Sequence, residues 1–153
     1  MMLASFKKLF ADSMAEGPAS ARESAGLGIA VAGLLHEMMR VDLHVKSGES
    51  QVAADALASI LALPRSEACS ILERTTEHRF TSYFGPVSII KRLLSAQQRG
   101  HLVEKLWEVA FADGTLDPYE DHFVRKIAHL LYVPNTEAML ARQRARHAAE
   151  QRP

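Results

Sequence analysis

The chain has 153 residues, 48% of them hydrophobic, and its 18 Lys and Arg balance 18 Asp and Glu for a formal charge of zero. That length and apolar content suffice for one domain with a core, while the neutral balance excludes a general attraction to nucleic acid or anionic membrane and leaves any electrostatic function to local clustering. The lone Cys69 excludes an intramolecular disulfide and a cysteine zinc motif, which points to a reducing compartment and a cytoplasmic protein.

In chain order the residues predict helices throughout. Leu3, Phe6, Leu9 and Phe10 share one side of an opening helix with Lys7 and Lys8 beside them, a pattern that packs on its own domain or makes a peripheral contact with a membrane. Residues 15–26 (AEGPASARESAG) are small, polar and unpatterned and read as a linker. From about Leu27 a helix runs to about Asp42, a second spans about Ser47 to Leu61, and a third opens at Arg65 or Ser66 behind Pro64 and ends near His78. Gly85 and Pro86 in RFTSYFGPV break the periodicity ahead of a short helix over Ser88 to Leu94.

Ser95 and Gln98 resemble a capping box for the next helix, in which Leu102, Leu106, Val109 and Ala110 form a buried stripe joined by Trp107. Phe123, Ile127, Leu130 and Leu131 continue that stripe in a further helix. Asn135 or Thr136 opens the last one, whose RQRARHAAEQRP end reads as frayed. No strand-like alternation competes, no apolar run is long enough to span a bilayer, and the start lacks the apolar stretch and cleavage site of a signal peptide. The expectation is an all-α fold of seven or eight helices: an amphipathic helix and linker over 1–25, a compact domain over 26–146 and a polar tail over 147–153.

Within this pattern an acidic frame occurs twice. E-x4-D-x6-E places Glu37, Asp42 and Glu49 in the first copy and Glu108, Asp113 and Glu120 in the second, at a constant offset of 71 residues. The chain reads as two related helical hairpins, the signature of internal duplication, with carboxylates gathered at one end of each. In the second loop, ADGTLDPYED, Gly114 supplies a left-handed helix terminus. Asp117 is an N-cap, Pro118 fits the first helical position and Glu120 stands three residues after the cap. Asp113 and Asp42 are different, because a carboxylate at a helix C-terminus faces the negative end of the dipole. Backbone N–H groups, a Lys or Arg, or a bound cation can compensate them. A cation held by such hard oxygen donors, with Asp121 as a further candidate, would be Ca²⁺ or Mg²⁺ rather than zinc or copper. The spacing is not that of an EF-hand, since Gly114 directly follows Asp113 and Pro118 begins a helix inside the span.

LWEVAFADGTLDPYEDHFVRKIAHLLYVP, with the earlier LLHEMMRVD and the spacing between them, closely resembles the tellurite-resistance protein B (TerB) family, in its widespread bacterial branch. The resemblance covers about Gly26 to Arg144, and L-W-E-V-A-x-A-D-G-x-L-D-x-Y-E is its most specific part. It implies an all-helical domain of two related halves, a cytoplasmic or inner-membrane-proximal bacterial protein, and a role in resistance to tellurite and related stresses. It further implies metal binding at the helix junctions by Glu37, Asp42 and Glu49 and by Glu108, Asp113, Asp117 and Glu120. The first half departs from the second by Leu43 in place of Gly114 and Lys46 in place of Asp117.

Other chemistry has less support. There is no G-x-S-x-G elbow, P-loop or dinucleotide fingerprint, and Cys69 sits beside Ile71 and Leu72 like a packed side chain, so neither catalysis nor an organic cofactor is expected. His36 and His44, and His122 and His129, lack the i, i+4 spacing of a helical zinc site. The alternative to a metal site is an adaptor, with a purely structural acidic cluster or an acidic end that docks a protein partner near Met38 and Met39.

Overall fold

The computed structural model describes residues 18–41, 49–77, 82–112, 114 and 116–151, with the backbone alone described for 18–22, 41, 49 and 50. Among these residues there are seven helices and no strand: α1 Pro18–Val41, α2 Glu49–Leu61, α3 Arg65–Arg74, α4 Phe84–Leu93, α5 Ala96–Ala110, α6 Pro118–Leu130 and α7 Asn135–Glu150. None is long and apolar enough to cross a membrane. The amphipathic segment over Leu3 to Phe10, with the membrane contact expected of it, lies outside the described residues.

Two helices carry the interior. Residues 30–36 of α1 are buried at seven consecutive positions, so this stretch of the helix is enclosed on every side. It packs on α2, α3, α4, α5 and α6. In α5, Leu102, Val103, Leu106, Trp107, Val109 and Ala110 are fully buried, and the helix packs on α1, α2, α6 and above all α7.

The duplication extends past a hairpin to three helices. Val31, Leu35 and Met38 of α1 match Leu102, Leu106 and Val109 of α5 at the offset of 71, and all six are fully buried. At the same offset His36 matches Trp107. His36 Nε2 donates to Leu72 O (2.9 Å) and Trp107 Nε1 to Ala138 O (3.1 Å), so each ring ties the first helix of its half to the third. The turn before that third helix is also repeated. Ala62 and Tyr132 have φ of 54° and 59°, and Leu63 N→Ala58 O and Val133 N→Ala128 O are each 2.9 Å, the Schellman closure of a helix C-terminus. Pro64 and Pro134 follow and open α3 and α7.

These turns are related by an offset of 70, one fewer than the acidic frames. Counted from the turn, Ala53, Ala54 and Leu57 therefore match Phe123, Val124 and Ile127, and Ser50, not Glu49, matches Glu120. One residue along a helix is a rotation of about 100°.

Three expectations are corrected. Helix α1 starts at Pro18, inside the supposed linker, because proline suits the first helical position and Ala19, Ala21, Arg22 and Glu23 are good helix formers. The segment is held by packing, with Ser24 buried and Glu23 paired with Arg92 of α4. Helix α4 starts at Phe84 and takes Gly85 and Pro86 into its first turn, where a missing N–H removes no intrahelical bond. Helix α7 continues to Glu150 in place of a frayed end. Its Ala138, Ala141 and Ala145 are buried, and Arg142 and Arg144 pair with Asp121 and Glu104.

Candidate functional site

The capping box expected at α5 is present, with Ser95 Oγ accepting from Gln98 N and Gln98 Oε1 from Ser95 N. It fixes the start of the helix that carries Glu108 to the second junction. Glu37 and Glu108, the leading acids of the two frames, occupy equivalent positions, and each pairs with a cation three residues away, after Glu37 and before Glu108. Glu37 Oε1 accepts from Arg40 Nη1 at 2.7 Å, and Arg40 Nη2 donates to Thr76 O at 2.6 Å, which anchors the pair to the end of α3. Glu108 accepts from Lys105 Nζ at 3.1 and 3.3 Å. Each carboxylate thus faces a cation of its own helix. Glu37 also acts on Tyr83, whose phenol is raised first by burial and then by this charge.

The second junction follows α5. Phe111 O accepts from Gly114 N at 2.9 Å, and Gly114 has φ 89°, the left-handed terminus its sequence position required. Asp117 caps α6: its Oδ1 accepts from Tyr119 N at 2.7 Å, and Pro118 is the first helical residue. The cap bond therefore goes to Tyr119 and not to Glu120. Glu120 is turned into the interior and is 0% exposed. At the third helical position it lies in the positive end of the α6 dipole, which favours a carboxylate. Asp121 is committed elsewhere, Oδ2 to Arg125 (2.9 Å) and Oδ1 to Arg142 (3.1 Å).

Asp42, His44 and Asp113 lie outside the described residues, as does the side chain of Glu49. Among the described residues no three His, Cys, Asp or Glu side chains gather closely enough to hold a metal ion. The donor chemistry differs between the frames. Glu37 and Glu108 already face Arg40 and Lys105. At the second junction Asp117 commits only one oxygen to its cap, next to the buried Glu120. Hard oxygens of this kind fit Ca²⁺ or Mg²⁺, and the six to eight ligands calcium takes would require Asp113, backbone carbonyls and water as well.

His36 serves structure. His36 is buried between α1 and α3, its Nε2 also 3.1 Å from Thr75 Oγ1, and burial lowers its pKa from the ordinary 6.5. His122 is exposed, on α6. Trp107 belongs to the core, as expected, and so does Met38, which the adaptor reading set near a docking end.

One buried acid escaped sequence reasoning. Glu67, 1% exposed, has its carboxyl raised above the ordinary 4.5 by burial. The available signal was a second repeated motif: LALPRSEA (61–68) and LYVPNTEA (131–138) place Glu67 and Glu137 in register.

The sequence model of the family described as tellurite resistance protein TerB matches residues 28–143, most of the chain. No curated protein and no solved structure gives a significant match.

Proposed function

The chain belongs to the TerB family, and on that premise we propose that it is a non-catalytic domain of a bacterial tellurite or general stress response that binds a divalent cation at its second helix junction. Asp113, Asp117 and Glu120 are the protein ligands in this reading, with Ca²⁺ or Mg²⁺ as the ion. The observation that carries it is the complete burial of Glu120 next to a capping Asp117. Two carboxylates three residues apart at the N-terminus of α6 offer hard oxygen donors of the kind a divalent cation takes. The first frame contributes less, since Leu43 and Lys46 replace Gly114 and Asp117 and Glu37 faces Arg40.

The test is a Ca²⁺ and Mg²⁺ titration of the full chain, followed by amide NMR and thermal melting. Cation at a hundredfold excess over Kd should stabilise the fold by about 2.7 kcal/mol, and Asp113→Asn and Glu120→Gln should each abolish the effect. Unchanged spectra and melting at millimolar cation would overturn the assignment. They would favour the second reading, an adaptor with a structural acidic cluster, which draws support from the protein partners of Glu37, Glu108 and Asp117.

A further inference from the structure

Between α4 and the C-terminal turn of α6 the surface opens into a cleft of about 500 Å³, lined by Tyr83, Phe84, Lys91, Lys126, His129 and Tyr132 among others. Among the described residues no Asp or Glu lines it. Among the same residues neither Lys91 nor Lys126 makes an ion pair, whereas Arg92, Lys105, Arg125, Arg142, Arg144 and Arg146 all do. Each lysine stands over a tyrosine instead: Lys91 Nζ is 4.3 Å from the ring centre of Tyr132, and Lys126 Nζ is 5.1 Å from that of Tyr83.

The floor is fixed and, among the described residues, the rim is exposed. Tyr83 meets Phe123 edge-on, with centroids 5.5 Å apart, so this wall is continuous with the core. Phe84 and Tyr132 are 78% and 74% exposed, two of the five large apolar side chains left in solvent among the described residues. The fold does not need the Tyr132 ring. Its counterpart Ala62 makes the same left-handed turn with a methyl group.

Unpaired cations beside exposed aromatic surface are complementary to an anionic ligand with an apolar part. A small molecule would be largely enclosed by its site, but here Phe84 and Tyr132 are mostly exposed, available as aromatic anchors for a protein interface. Two lysines on a chain of zero net charge are too few phosphate contacts for nucleic acid. We infer that the cleft docks an acidic peptide segment of a partner protein, with carboxylates on Lys91 and Lys126 and an apolar side chain between Phe84 and Tyr132. This surface is separate from the acidic junctions and stands whether or not a cation binds there.

The probe is an amidated peptide of glutamate pairs alternating with leucine–phenylalanine pairs, titrated into the full chain with EDTA present and followed by amide NMR. Shifts should centre on Phe84, Lys91, Lys126 and Tyr132. The double variant Lys91→Glu/Lys126→Glu should weaken binding by about tenfold or more. Tyr132→Ala, which gives this turn the residue found at its counterpart in the first half, should weaken it by about fivefold. An unchanged NMR fold for each variant accompanies the measurement. Equal binding of a lysine-for-glutamate peptide, or affinity indifferent to both variants, overturns the inference. So does binding of phosphatidylglycerol vesicles without binding of the peptide, or self-association that the lysine variants abolish in its place.

Discussion

Ala62→Gly tests the repeated turn most directly. At φ 54° the Cβ of Ala62 lies in the left-handed region, which costs about 1–2 kcal/mol for an L-residue. Glycine removes that cost and gives back about 0.5–1 kcal/mol through the greater freedom of the unfolded chain. Ala62 is exposed, so no packing is lost. The net expectation is a gain of about 0.5–1 kcal/mol, a rise in Tm of about 1–4 °C for a chain of this size. Tyr132→Gly relieves the same strain at φ 59° but removes the Lys91 contact, worth about 0.5–1 kcal/mol at an exposed site, so it should come out near neutral. In a Lys91→Ala background that offset disappears, and Tyr132→Gly should stabilise as Ala62→Gly does. Urea midpoints at constant m-value measure each quantity. A loss of about 1 kcal/mol in Ala62→Gly, the cost of glycine inside a right-handed helix, would refute the turn geometry.

Gly100→Ala should also stabilise, by about 0.5–1 kcal/mol, because glycine inside α5 forfeits helix propensity and the added Cβ overlaps only the carboxylate end of Glu137, an exposed residue free to turn away. If urea unfolding shows a clear loss that Glu137→Ala restores, the carboxylate is held in place and this reasoning fails. Acidification should destabilise the protein through His36. Burial depresses its pKa below 6.5, with Arg40 lowering it further and the Leu72 carbonyl and Glu37 opposing, so the unfolded chain binds the proton more readily. The His36 contribution is then complete above pH 6.5 and falls as the pH drops below it. Glu67, raised by burial, acts with the opposite sign. The difference between wild type and His36→Gln isolates the histidine; midpoints between pH 8 and 5.5 that fall equally in both would sink the assignment.

Where a residue's local job sets its place, it was legible in the chain. Ser95 with Gln98, Gly114, and Asp117 with Pro118 each satisfy a helix end from within a few residues, and each stands as read. The buried stripes of α5 and α6 follow from helical periodicity for the same reason. The start of α1 was missed because alanine and serine are compatible with either a linker or a helix, and only packing of Ser24 and the Glu23–Arg92 pair decides between them. Helix α7 shows the same limit: RQRAR reads as a solvated end until Asp121 and Glu104 supply its partners.

The candidate site divides along this line. Sequence by itself determined the all-helical class, the spacing of the two acidic frames and the helix ends at Gly114 and Asp117, because these depend on spacing and on groups a turn or two apart. Tertiary structure alone decided that Arg40 is anchored to Thr76 beyond α3, that Glu120 is inside while Asp121 is tied to Arg142 of α7, and that Lys91 and Lys126 line a cleft with no carboxylate among its described residues. Beyond pairs a turn apart on one helix, charge on a residue says nothing of its neighbours until distant helices are brought together, and burial, which sets the cost of each charge, exists only once they are.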